Sequence, residues 1–236
     1  MNAWQLVVGV VLPPVTALAL LVGLGIRLAR WWRAPVAKIT LFPSARSGSQ
    51  LWAGVAREVF LFRSLWKADE ALWAGAWVFH LALALIAVGH LRVVTDFPLL
   101  WAALGLGEGD VDVLSASIGG AVGLVVLATG LYLLVRRLTS APARDASKAE
   151  DYVALALLLA VVATGDAMRF FTHIDLTEAR AYFQGLATLD LITMPAHPLF
   201  WLHFLLAQVL LLYLPFGKLL HLPGVFFCQP LLRKDY

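Results

Sequence analysis

Five stretches, 6–26, 71–91, 114–135, 152–171 and 198–222, stay apolar over the roughly twenty residues that a helix needs to cross about 30 Å of hydrocarbon. Lipid offers no water to a backbone, so each run must satisfy its own amides and carbonyls, and a helix does so. The expected architecture is all-α, an integral membrane bundle of five transmembrane helices forming one domain over 1–236. Composition agrees: 61% of residues are apolar, 14% are charged and the mean hydropathy is +0.82, whereas a soluble domain carries about 25% charged residues.

The first run contains Pro13 and Pro14, which a membrane helix tolerates where neighbours satisfy the freed carbonyls. A cleaved signal peptide is the alternative. No basic residue precedes the run, however, and Arg27, Arg30 and Arg33 follow it, the reverse of a signal sequence, so a retained span is expected. Lysine and arginine set the orientation. The first connection holds Arg27, Arg30, Arg33, Lys38, Arg46, Arg57, Arg63 and Lys67, the third Arg136, Arg137, Arg144 and Lys148, and the C-terminus Lys218, Arg233 and Lys234. Only Arg92, Arg169 and Arg180 remain for the other side, beside Asp96, Glu108, Asp110, Asp112, Asp166, Asp175, Glu178 and Asp190. The positive-inside rule then places the N-terminus outside and the C-terminus in the cytoplasm, as five spans require.

Within the cytoplasmic connection 28–70, Trp52, Val55, Val59 and Phe62 recur at helical spacing while Arg57, Glu58 and Arg63 take other angles. That pattern predicts an interfacial helix, either covering the bundle or offering a docking surface. In the third span Gly119, Gly123 and Gly130 suit close helix packing or room for a flat ring, and the sequence does not separate the two. Pro215 is expected to kink the fifth span. A lone cysteine, Cys228, excludes an internal disulfide, a cysteine-held iron–sulfur cluster and covalent haem attachment. The basic residues flank spans and form no aromatic-laced patch, so no nucleic-acid partner is expected. Trp31, Trp32, Trp66, Trp101 and Trp201 fall near span ends, as interfacial belts do.

Four histidines carry the chemistry. His80 and His90 lie ten residues apart in the second span, and His203 and His221 eighteen apart in the fifth. In antiparallel spans His80 comes level with His221 near the cytoplasmic face, and His90 with His203 near the outer face. An imidazole in hydrocarbon needs a strong partner, and haem iron is one. On unbroken helices the pairs are separated by about 15 Å and 27 Å, a mismatch that tilt would absorb, giving irons roughly 21 Å apart. All four are then expected to ligate two b-type haems. A hydrogen-bonded core role for each histidine, or the proton relay of a haem-free transporter, are the competing readings.

The His-x9-His span ending in Gly89-His90, the His-x17-His last span and the five-span arrangement together resemble the gamma subunit of respiratory nitrate reductase. Segments GDAMRFFTHIDL (165–176) and LPFGKLLHLPGVFF (214–227) resemble in particular the cytochrome b subunit of the dissimilatory sulfite reductase-linked transmembrane complex, although Cys228-Gln229-Pro230 departs from that branch. The resemblance covers about residues 1–228. It implies a subunit of a prokaryotic cytoplasmic-membrane redox complex. Such a subunit passes electrons through two b haems between the quinone pool (menaquinone or ubiquinone) and a cytoplasmic iron–sulfur subunit, beside further membrane and periplasmic subunits. A sulfur-metabolising complex is expected, with a nitrate reductase-type complex as the alternative. The quinone site is implied at the outer haem, where Asp96, Asp166 and His173 are candidates to exchange protons. Arg92 and Arg169 are expected to pair with outer haem propionates, and Arg136, Arg137 or Lys218 with inner ones. His197, before Pro198 at a helix start, has the weakest claim to a functional role.

Overall fold

The computed structural model describes residues 3–34, 48–172, 174–190, 194–221 and 223–226, and every regular element among them is helical. Helix α1 spans Ala3–Trp32, α2 Gly48–Leu61, α3 Arg63–Ala68, α4 Glu70–His90, α5 Pro98–Ala103, α6 Glu108–Thr139, α7 Ala141–Asp145, α8 Ala149–Phe171, α9 Leu176–Thr188 and α10 Pro198–Tyr213. Four helices, α1, α4, α6 and α8, are long and apolar enough to cross a membrane. Packing follows chain order, α4 on α6, α6 on α8 and α8 on α10, with α1 closing against α10. Phe79, Ala82, Val126 and Val162 form the shared core of α4, α6 and α8. The outward faces are apolar too, for Leu18, Leu21, Val88, Leu124 and Val135 are all exposed. Such an inside-and-out apolar bundle suits lipid as its surroundings.

The fifth apolar run departs from expectation. In place of a kinked span over 198–222, the helix stops at Tyr213 after 16 residues, a rise of about 24 Å. Pro215 brings no amide to the helix, and the chain turns through 214–217 into a short 3-10 turn, Lys218–Leu220, that delivers His221. Helix α1 holds this break. Arg27 donates from Nε to the Pro215 carbonyl at 2.9 Å and from Nη2 to that of Phe216 at 3.1 Å. Gly23, one turn earlier, lies so close that an added Cβ would sit 2.7 Å from Pro215 Cβ. The rise of about 27 Å between His203 and His221 on an unbroken helix therefore does not apply.

The two prolines of α1 have a specific remedy. Pro13 and Pro14 carry no N–H, and the preceding turn widens to π geometry over Val7–Val11, Leu12 N–H reaching Val7 O. The carbonyls of Val8 and Gly9 are thereby left without helical donors. Gln208 Nε2 donates to Val8 O at 3.2 Å, and the Tyr182 hydroxyl donates to Gly9 O at 2.5 Å. Burial pushes the Tyr182 phenol up from its ordinary value, so it remains a protonated donor. Orphaning a buried carbonyl costs about 1–3 kcal/mol. Tyr182→Phe and Gln208→Leu are each expected to lower the unfolding temperature in detergent, and an unchanged temperature in both would refute the remedy.

The glycine face of α6 serves helix packing. A Cβ on Gly123 would overlap the Asp166 carboxylate, one on Gly120 would press Phe170 at 3.1 Å, and one on Gly130 would meet Leu159 at 2.6 Å and Phe79 at 3.1 Å. Helix α9, which the sequence reading did not anticipate, packs Ala179 and Tyr182 with Met194 and Phe200 over one end of the bundle. The helix expected in 28–70 is present as α2 and α3, with Val55 buried and Trp52 exposed; 35–47 lie outside the described residues.

Candidate functional site

The four span histidines meet as two pairs. His80 and His221 have ring centroids 5.6 Å apart with planes at 84°, and His90 and His203 lie 6.3 Å apart with planes at 18°. A metal about 2 Å from each of two imidazole nitrogens, with each centroid roughly 1 Å behind its nitrogen, sets centroids about 6 Å apart. Both pairs have that spacing.

Their outer contacts are uniform. His80 Nδ1 meets the carbonyl of Ala76 at 2.7 Å, His90 Nδ1 that of Ile86 at 2.8 Å, His203 Nδ1 that of Val161 at 3.0 Å and His221 Nδ1 that of Lys218 at 3.1 Å. A carbonyl only accepts, so each Nδ1 carries the proton and each Nε2 keeps a free lone pair, the tautomer a metal ligand needs. Thr164, missed in the sequence, adds a second contact to His203 Nδ1 at 3.1 Å while its hydroxyl is directed at Ala160 O and Val161 O. Gly165 makes room for the same ring, since a Cβ there would be 3.2 Å from His203 Cε1. His197 is the contrast. Its Nδ1 accepts from Leu199 N at 3.2 Å and caps α10, the opposite tautomer and a structural task.

Among the described residues no group of three or more His, Cys, Asp or Glu could hold a metal ion on its own. An iron already held by a macrocycle asks the protein for two ligands, which each pair can offer. The charged residues fit unevenly. Arg136 pairs with Asp69, and its buried Nε has no partner among the described residues. Arg137 bonds Ser147 Oγ at 2.6 Å, and Lys218 pairs with Asp151 at 2.7 Å and Glu150 at 3.8 Å. A cleft of about 470 Å³ beside His221 is lined by Arg27, Trp31, Phe216 and Lys218 among others.

Near His90 the charges are bound to one another. Arg92, buried, bonds Asp96 at 2.6 Å and Asp112 at 3.0 Å, while Arg180 reaches Asp96 at 3.2 Å and the Arg92 carbonyl at 3.0 Å. The Arg92 hydrogen bond, with help from both guanidinium charges, holds the Asp96 carboxyl below its ordinary range. Asp96 is therefore ionised and engaged near neutral pH. Arg169 donates to the backbone carbonyl of Ser115 on α6. Asp166 differs from Asp96: it is buried, faces Gly123, and its Oδ2 has no partner among the described residues. His173 lies outside the described residues.

Residues 64–233 match the family described as the nitrate reductase gamma subunit. The chain is 29% identical over 256 residues to a protein of Archaeoglobus fulgidus named Hdr-like menaquinol oxidoreductase cytochrome b-like subunit, covering 93% of this chain and 77% of the relative. It is also 29% identical over 202 residues to a protein of the same name from Archaeoglobus profundus, covering 76% of this chain and 59% of that relative.

Proposed function

The chain belongs to the nitrate reductase gamma subunit family, and from that membership we propose that it is the membrane cytochrome b subunit of a quinone-linked redox complex, carrying two b haems in a single domain. The observation that carries the proposal is the set of two facing histidine pairs, all four with Nδ1 tied to a backbone carbonyl. Bound haem supplies reversible one-electron transfer. His80 with His221 would hold the inner group, and His90 with His203 the outer one. With two histidines held by each iron, no position would remain for substrate, so the substrate would be handled by protein side chains.

The names of the relatives support menaquinol as the quinone. Oxidation of one quinol to quinone releases two electrons and two protons, and the protons need an acceptor within hydrogen-bond reach or one water away. We assign that role to Asp166, whose Oδ2 has no partner among the described residues, over Asp96, which two guanidinium groups already hold ionised. Space beside the outer pair supports access there, because His90 is exposed and a Cβ on Gly89 would meet nothing within 4 Å. At the inner end Arg136 is suited to a haem propionate through its Nε, which has no partner among the described residues.

Electrons are exchanged with an iron–sulfur subunit on the cytoplasmic side of a prokaryotic inner membrane. Segments 165–176 and 214–227 support the sulfur-linked branch and hence a partner working on a sulfur carrier. The test is a reduced-minus-oxidised spectrum of the purified complex under a menaquinol analogue. A b-type band that the analogue reduces is expected, and a colourless protein would overturn the proposal. Asp166→Asn is expected to slow quinol oxidation about 100-fold with both haems retained; an unaltered turnover rate removes Asp166 from the proton path.

A further inference from the structure

The link between α2 and α3 contains a residue in an unfavourable conformation beside the inner histidine pair. Phe62 has φ 47° and ψ 45°, the left-handed region that a bulky side chain rarely enters. The chain on either side is fastened. Trp73 Nε1 donates to Leu61 O at 2.7 Å and Trp77 Nε1 to Phe60 O at 2.8 Å, so two side chains of α4 bind the carbonyls just before Phe62. Just after it, the Glu58 carboxylate accepts from Ser64 N at 3.0 Å and Ser64 Oγ at 2.7 Å.

What the strained turn accomplishes is the placement of one ring. Phe62 stands edge-on to the imidazole of His80, centroids 5.2 Å apart and planes at 85°, while Phe79 meets the same imidazole at 5.4 Å and 82°. With Nδ1 tied to Ala76 O, rotation of His80 is blocked on several sides. The result is a plane nearly perpendicular to that of His221, at 84°, whereas the outer pair is nearly parallel at 18°.

We propose that Phe62 is a positioning residue that holds the His80 imidazole crosswise to His221 and so makes the inner haem electronically unlike the outer one. The inference rests on the di-haem reading. An axial imidazole interacts with the iron d orbitals through the π system normal to its ring. Parallel rings act on one d orbital of the pair and split it from the other; crossed rings act on both and leave them close in energy. The electron paramagnetic resonance of oxidised low-spin iron reports that splitting directly. The unaltered protein should therefore give two distinct signals, a strongly anisotropic one from the inner site and a rhombic one from the outer.

The experiment compares oxidised spectra and haem content of the full-length chain in its complex for Phe62→Leu, Phe62→Gly and Phe62→Tyr. Leucine removes the ring at similar bulk, glycine also relieves the backbone, and tyrosine keeps the ring. The leucine and glycine proteins should bind both haems, shift the inner signal towards rhombic form and leave the outer one unmoved, while tyrosine retains the original spectrum. Two similar rhombic signals in the unaltered protein would overturn the inference, as would unchanged spectra in the leucine variant, which alone suffices if the glycine variant fails to fold. An unaltered protein without haem would instead overturn the reading beneath it.

Discussion

His203→Ala is expected to leave one haem per chain and to reduce quinol oxidation by about 100-fold or more, since loss of an outer hydrogen-bond partner alone weakens a metal site by about 10–100-fold. The imidazole sits between α8 and α10, with Val161 O and Thr164 Oγ1 on its Nδ1 and Gly165 against its edge. Truncation removes the ring from that fitted place while the α4–α6–α8 core of Phe79, Ala82, Val126 and Val162 is untouched. His80 and His221 make their own contacts to Ala76 and Lys218 and do not depend on His203. The remaining band should therefore be that of the inner site. Dithionite should reduce it while a quinol analogue does not, and retention of both haems would overturn the pairing.

Gly23→Val is expected to do the converse without altering any ligand. The Pro215 ring lies 2.7 and 2.8 Å from where the new Cβ would stand, far inside contact distance, and neither a proline ring nor a helix backbone yields easily. Overpacking of this kind costs about 1–3 kcal/mol. Here the displaced element is the turn that Arg27 fastens one helical turn along, six residues before His221. The inner pair should separate and the inner haem be lost or markedly destabilised, with the outer signal intact. Gly25→Ala is the matched control, because a Cβ there meets nothing within 4 Å. Haem content and resonance spectra of the two variants decide it; an unperturbed inner signal in Gly23→Val would show that α1 does not hold the turn.

Hydropathy made four of the long helices legible, with ends up to six residues beyond the apolar runs, because lipid imposes one requirement on every residue of a span. Which histidines meet was legible as well, since depth in a bilayer orders residues on antiparallel helices. How His221 arrives was not. A kinked helix to 222 satisfied the apolar pattern, whereas α10 ends at Tyr213 and the carbonyls of Pro215 and Phe216 are taken up by Arg27, nearly two hundred positions earlier. Side chains that answer a distant backbone leave no local signal, and Tyr182 and Gln208 at the π turn are of the same kind. Arg92 and Asp96 were each read as candidates singly, but Asp112 on α6 and Arg180 on α9 join them only once the chain has folded. Helix α9 itself is amphipathic and short, too polar to register as a span.

Haem stoichiometry of the purified, full-length chain tests the account most directly. A pyridine haemochrome assay referred to protein concentration is predicted to give two b-type haems per chain, falling to one in His203→Ala. No haem, or a single haem in the unaltered chain, would contradict it.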